Sequence, residues 1–240
     1  MEYRERTYRN RIFKGDLVSF QVKIKETDLY IGADSDCTEA AIRSVHRHRE
    51  FIEEYIRHNP PFINSMTPVE ADEFAPAIIR EMTKASRRCG VGPMASVAGA
   101  IARNVGLDLM KCSDNVIIEN GGDIFLKLTN KDAIVGIFAG DSPLSYKVSI
   151  RIKSNGAPAG VCTSSGTVGH SLSFGRADAV CVTSESATLS DAAATAVCNR
   201  VRRAGDIKGA LDLGLRIEGV MGVLIIMGDK LGISGDIELS

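Results

Sequence analysis

Tryptophan is absent from this chain of 240 residues, and eight Phe and five Tyr are its only aromatics. That scarcity argues against a surface built to stack nucleic-acid bases. Charge of one sign is missing too: 29 Lys and Arg stand against 30 Asp and Glu, and beyond the first fourteen positions the basic residues are dispersed. No field draws in DNA or RNA. The longest apolar stretch, Val220 to Met227, is far shorter than the ~20 residues that span a bilayer, and the charged start from Met1 to Arg11 has no apolar segment behind it. We expect a cytoplasmic protein without membrane or nucleic-acid partners. Cys-x-x-Cys pairs are lacking; the six cysteines at 37, 89, 112, 162, 181 and 198 read as reduced, mostly buried thiols and exclude a structural zinc.

Glycine, with 23 residues, is plentiful, which points to tight turns and close backbone packing. The length suits one domain over residues 1–240, as a single body or as two closely packed lobes with a site between them. No linker, repeat or low-complexity segment divides it.

Residues 17 to 33 alternate in period two, Phe20, Val22 and Ile24 against Gln21, Lys23 and Lys25, and predict a hairpin turning near Glu26–Asp28. Asp36 with Glu39 has the form of a capping box, and Ala41, Val45, Ile52 and Ile56 recur at helical spacing until Asn59-Pro-Pro61. His46, His48 and His58 fall among Arg and Glu there and read as a solvated face. Thr67-Pro-Val-Glu70 predicts another helix start, with a restart at Pro76 and an apolar stripe of Ile78, Ile79, Met82 and Ala85 up to Gly90. Val91 to Ala102 reads as a Gly-Pro turn opening a helix of small residues, whose N-terminus suits either an anion or a close-packed neighbour.

Residues 115–120 and 124–129 predict strands joined at Gly121-Gly122, and 133–139 with 146–153 are expected to extend the same sheet. Ala179–Val182 leads into a helix from about Thr188 to Arg203, and two strands over 220–227 and 232–239 close the chain. Helices lie between hairpins rather than alternating with single strands. The class is α+β with a largely antiparallel sheet.

Chemistry concentrates between Gly160 and Thr195. Asp191 and Thr195, four apart, share one helix face, and their hard oxygens suit magnesium; capping of the helix start by Ser and Thr explains the same pattern. Cys162-Thr-Ser-Ser-Gly166 sets hydroxyls and a glycine beyond a strand, a place to hold phosphate oxygens, without the lysine of a P-loop or the elbow of a serine hydrolase. His170 fits either proton transfer or a backbone contact. Asn120-Gly-Gly-Asp123 fits either an ordinary hairpin turn or one that presents N–H groups and a carboxylate to a nucleotide.

Together, Val91–Ala102, Glu119–Phe125, Cys162–Gly175 and Ser190–Thr195 resemble the uncharacterised branch of the ApbE-like superfamily, in order and spacing over nearly the whole chain. That resemblance implies a T-fold-like α+β architecture. It also implies the activity of the superfamily's FAD:protein FMN transferases, in which magnesium assists cleavage of FAD and FMN is attached to Ser or Thr of an acceptor protein. Carried over, Asn120, Gly121, Gly122 and Asp123 line the flavin pocket, with Thr163, Ser164, Ser165 and Gly166. Asp191 and Thr195 ligate magnesium, and His170 is the catalytic candidate. Two features depart from the pattern: Ser171-Leu-Ser-Phe-Gly175 follows His170 without Asp-Pro, and Gly99-Ala-Ile-Ala102 stands where the transferases have Lys-Gly.

The leading expectation is thus a protein that binds a flavin nucleotide, FAD or FMN, or a related dinucleotide, with Mg2+, and FMN transfer to a protein is the reaction the resemblance implies. The alternatives are a sulfur-metabolism protein with Cys162 as sulfur carrier, and a nucleotide-binding scaffold without turnover. The sequence leaves room for a homo-oligomer.

Overall fold

The computed structural model describes residues 17–70, 72–168 and 173–240. The first hairpin forms as read: β1 (Val18–Ile24) runs antiparallel to β2 (Thr27–Ala33), with Phe20 opposite Ile31 and Val22 opposite Leu29. Helix α1 (Thr38–His58) follows and buries Ala41, Val45 and Ile52. Its start differs from the expected capping box. The Asp36 carboxylate accepts the Thr38 N–H at 2.9 Å and hydroxyl at 2.6 Å, while Glu39 turns to Arg43 one turn on.

His46 and His58 are exposed, as a solvated face requires, but His48 is buried. Its Nε2 lies 3.0 Å from an Asp108 carboxylate oxygen that also accepts the Ser44 hydroxyl at 2.6 Å and a bond from Arg47. The partner sits 60 residues away, so helical periodicity within α1 gave no sign of it.

After the short α2 (Pro61–Asn64), no helix starts at Thr67-Pro-Val-Glu70. The Ser65 hydroxyl donates to the Thr67 carbonyl and accepts its N–H, a local pairing that competes with helical hydrogen bonds. Helix begins only beyond Pro76, as α3 (Ala77–Cys89), and ends on Gly90 at φ +69°. A single 3-10 turn at Pro93–Ser96 then leads into α4 (Val97–Leu109).

The strands β3 (Val116–Asn120) and β4 (Asp123–Lys127) form the second hairpin. Next come β5 (Ala133–Gly136), β6 (Ser149–Ile152), β7 (Ala159–Ser164), β8 (Ala179–Ser184), α5 (Ala187–Cys198) and α6 (Ile207–Leu215). β9 (Val220–Met227), β10 (Lys230–Gly235) and β11 (Glu238–Leu239) close the chain. Helix α6 runs unbroken through Gly209 and Gly214, burying Ala210, Leu211 and Gly214, and was not among the expected elements.

Eight strands make one antiparallel sheet in the order β1-β2-β3-β4-β7-β8-β9-β10. β5 and β6 do not extend it, contrary to expectation. β4 is already paired on both sides, by β3 and β7, so the intervening segment folds over the sheet and pairs with β11 in the order β11-β6-β5. Ile137, Val148 and Ile150 of that flap pack against Ile117, Leu126, Val161 and Leu224.

The opposite face carries the helices over two apolar clusters. One gathers α1, α3 and α4 over β1 to β4, with Ile78, Met82, Val105 and Phe125; the other gathers α5 and α6 over β8 and β9, with Val180, Val197 and Val223. With both faces covered, β3 and β8 are buried at every position, which explains the continuous apolar runs Val116–Ile118 and Ala179–Val182 that open them. The α+β class is as expected.

Candidate functional site

The central strands and the starts of two helices meet at Asp123 and Asp191. Asp123 opens β4 directly opposite Cys162 of β7, so both side chains leave the sheet on the helix-covered face. The turn before Asp123 is a two-residue hairpin: Gly121 and Gly122 have φ of +71° and +107°, positive at both central positions as a type I′ turn demands. The Glu119 carboxylate accepts the Gly122 N–H at 2.8 Å, and the Asn120 amide donates to the Ala98 carbonyl at 3.0 Å. The turn is thereby tied to the first residues of α4.

Asp191 reaches the same place from α5. Its carboxylate accepts the Gly99 N–H at 2.8 Å and a further bond from the Ala98 N–H. The start of α4, open to either an anion or a close-packed neighbour, is therefore occupied by this chain's own Asp191 from a packed helix, and no side chain caps the start of α5. The approach depends on absent side chains. A Cβ on Gly99 would stand 2.3 Å from the Ala187 carbonyl oxygen and 2.8 Å from Asp191 Cβ, and one on Gly160 would stand 2.4 Å from the Ala187 backbone. Gly99 and Gly160 were not singled out as site residues; the run of small residues around Gly99 was their signal.

Burial pushes Asp191 up to about 7, against the opposing pull of the two α4 N–H groups. Asp123, 6 % exposed, is driven well above the carboxylate range by burial and then by repulsion from Asp191. Among the described residues no Lys, Arg or His pairs with either. Two acids are thus crowded together without a compensating cation, an arrangement that favours a bound one.

Thr195 lies one turn beyond Asp191 on the same helix and is 8 % exposed. Among the described residues no three His, Cys, Asp or Glu side chains form a metal cluster by themselves. A cation here would need the Thr195 hydroxyl, carbonyl oxygens or ligand oxygens to complete its shell, which agrees with the oxygen chemistry of magnesium.

The segment after Cys162 divides. Thr163 is in β7, not in a loop, and its hydroxyl serves the Cys181 thiol on the opposite face; only its backbone N–H turns to Asp123. Ser164 points to the helix side, where its buried hydroxyl faces the Cys198 thiol and, among the described residues, meets no other polar group. Ser165 accepts the N–H groups of Thr167 and Val168 at 3.0 and 2.9 Å, and a Cβ on Gly166 would stand 2.2 Å from the Gly175 carbonyl oxygen. The structure thus brings Asn120, Gly121, Gly122 and Asp123 together with Asp191 and the Thr163 backbone. His170 lies outside the described residues.

Cys162 is wholly buried, as the strand reading holds. Its thiol donates to the Ala187 carbonyl at 3.2 Å, and burial, then Asp123 and Asp191, push it well above the usual thiol range. A sulfur carrier must meet its donor and acceptor, and a wholly buried thiol is out of their reach, which argues against a sulfur carrier at this position.

The family model described as "AbpE bacteria" matches residues 9–231. The chain belongs to this family. A UPF0280 protein of Methanococcus aeolicus is 41% identical over 227 residues, covering 92% of this chain and 91% of the relative. One from Methanocaldococcus jannaschii is 42% identical over 223 residues, covering 90% of each. Among solved structures, the apo flavinyl transferase ApbE of Pseudomonas stutzeri aligns with TM-score 0.58 at 12% identity, covering 93% of this chain and 95% of that one. The ApbE protein of Thermotoga maritima gives 0.55 at 14%, covering 91% and 97%. The architecture is therefore ApbE-like. Among the described residues no helix is long and apolar enough to cross a membrane.

Proposed function

We propose that this ApbE-family chain binds a flavin nucleotide, FAD or FMN, with Mg2+ and transfers an FMN phosphoryl group to a hydroxyl of an acceptor protein. One observation carries the reading: Asp123 and Asp191 converge without a cation beside the α4 start, in a fold shared with a flavinyl transferase. We take the two helix-side clusters as the two lobes, with this site between them.

Asp191 and Thr195 would hold the cation, with Asp123 adding negative charge; when bound, it neutralises pyrophosphate charge. The turn from Asn120 to Gly122 fixes Asp123 and leaves the flexible Gly121 beside it. The buried Ser164 hydroxyl, with Ser165 and Gly166, is assigned to ligand oxygens, and Thr163 acts through its backbone alone. His170 is assigned to proton transfer from the acceptor hydroxyl.

The test is thermal unfolding with FAD and Mg2+, separately and together, followed by assay of AMP release. Joint addition should stabilise the wild type more than either alone, because a ligand selective for the folded state must stabilise it. Asp191→Asn should lose the Mg2+-dependent part and the AMP release. Equal stabilisation of the variant would refute the metal assignment, and synergy without AMP release would mark a binding scaffold.

A further inference from the structure

Outside that site, Cys37 at the start of α1 and Cys112 after the end of α4 bring their Sγ atoms to 3.2 Å although 75 residues separate them. That is only about 1 Å more than a covalent S–S bond. Cys112 is exposed and Cys37 buried behind it. The Cys112 thiol donates to the Leu109 carbonyl at 3.2 Å, which leaves its sulfur lone pairs for the Cys37 thiol.

The two connections carrying these cysteines are bolted together independently of the thiols. One Asp34 carboxylate oxygen accepts the N–H groups of Asp114 and Asn115 at 2.8 and 2.9 Å and the Ser113 hydroxyl at 3.0 Å; the other accepts the Asn115 amide at 2.9 Å. The clamp holds the sulfurs at high effective concentration, so closing a bond between them orders little that is still free.

We propose that Cys37 and Cys112 form a modification site, a thiol pair that a small-molecule disulfide converts into an intramolecular disulfide stapling the start of α1 to the end of α4. Cys112, deprotonated, attacks one sulfur of the small disulfide and expels one thiol. Cys37 then releases its proton, attacks the Cys112 sulfur of the mixed disulfide and expels the second. Two protein thiols are oxidised and one small disulfide is reduced to two thiols. Burial and the neighbouring Cys37 hold the Cys112 thiol up at about 11, so the first step quickens about tenfold per pH unit across the neutral range. Cys162, Cys181 and Cys198 are buried and serve as unreactive internal references.

The full chain is incubated with glutathione and glutathione disulfide at graded ratios, quenched in acid, alkylated after denaturation and mapped by mass. The Cys37 and Cys112 peptides should appear joined while Cys162, Cys181 and Cys198 are alkylated. The oxidised protein should melt on the order of 10 °C higher, reversibly with reductant, because the bond closes a long loop. Cys37→Ser should stop at a glutathione adduct on Cys112. Both cysteines alkylated at the most oxidising ratio, or wild type halting at that adduct, overturns the proposal. The wild-type map decides even if the variant fails to fold.

Discussion

Asp108 and Asp191 are both carboxylates sunk between helices, and their surroundings push them in opposite directions. Burial alone would raise Asp108, but the Ser44 hydroxyl, His48, Lys111 and Arg47 outweigh it and hold the group well below the ordinary carboxylate range. Asp191 sits deeper, with only two backbone N–H groups against a larger penalty, and rises to about 7, with Asp123 crowded beside it. Burial opposes the charge at both places, so its presence alone does not decide the direction. What distinguishes them is whether the chain supplies its own cation. The α1–α4 contact is complete in itself, whereas the Asp123–Asp191 contact is stable at neutral pH only with a proton or an added cation.

The largest expected effect is on pH dependence, measured by urea unfolding in chelator. Asp191 in the fold keeps a proton that the unfolded chain loses near pH 4, so stability should fall as pH rises from about 4 to about 7. The loss approaches ~4 kcal/mol at about 1.4 kcal/mol per unit. Asp108 has the opposite sign: its stabilisation is whole above about pH 4 and disappears as pH falls through its lowered value. Saturating Mg2+ should flatten the neutral limb only. A level profile between pH 4.5 and 7.5 in chelator would remove the contrast.

The same substitution should next give opposite results at the two places. At pH 7.5 in chelator, Asp108→Asn should lose about 2–3 kcal/mol, because Arg47 and Lys111 lose their counter-charge and His48 a charged partner. Asp191→Asn should be neutral or stabilising under the same conditions, since it deletes an uncompensated charge. Equal losses in urea titrations would mean that both acids are structural.

Much of the fold was legible because it rests on local patterns: the β1–β2 alternation, the apolar stripes of α1 and α3, the glycine turn before Asp123. The failures have long-range causes. Nothing near Ala133 or Tyr146 tells that β4 has no free edge, so these strands read as part of the main sheet. His48 looked solvated because Asp108 stands 60 residues away. In the candidate site, Asp191 was singled out through its spacing to Thr195 and the family resemblance. Its bond to Gly99 was not legible, because spacing within α5 is silent about α4. Thr163 was expected in a loop beyond the strand, but β7 runs on through Ser164, and strand alternation sends the Thr163 hydroxyl to the other face.

The smaller effects test whether the acid pair depends on backbone approach. Gly99→Ala would set a methyl 2.3 Å from the Ala187 carbonyl, a contact that only movement of α4 or α5 can relieve. We expect a loss of about 1–3 kcal/mol, with Asp191 drawn away from the α4 N–H groups and the Mg2+ response weakened in proportion. Gly209→Ala is the matching control. Gly209 lies in α6 with nothing within 4 Å of the new methyl, so the same change should gain about 0.5–1 kcal/mol from helix propensity and leave the Mg2+ response intact. If Gly99→Ala were as benign as Gly209→Ala in parallel urea titrations, the two helices would not be locked at this contact. The carboxylates could then separate without help, and the crowding that makes them a candidate cation site would not be enforced by the fold.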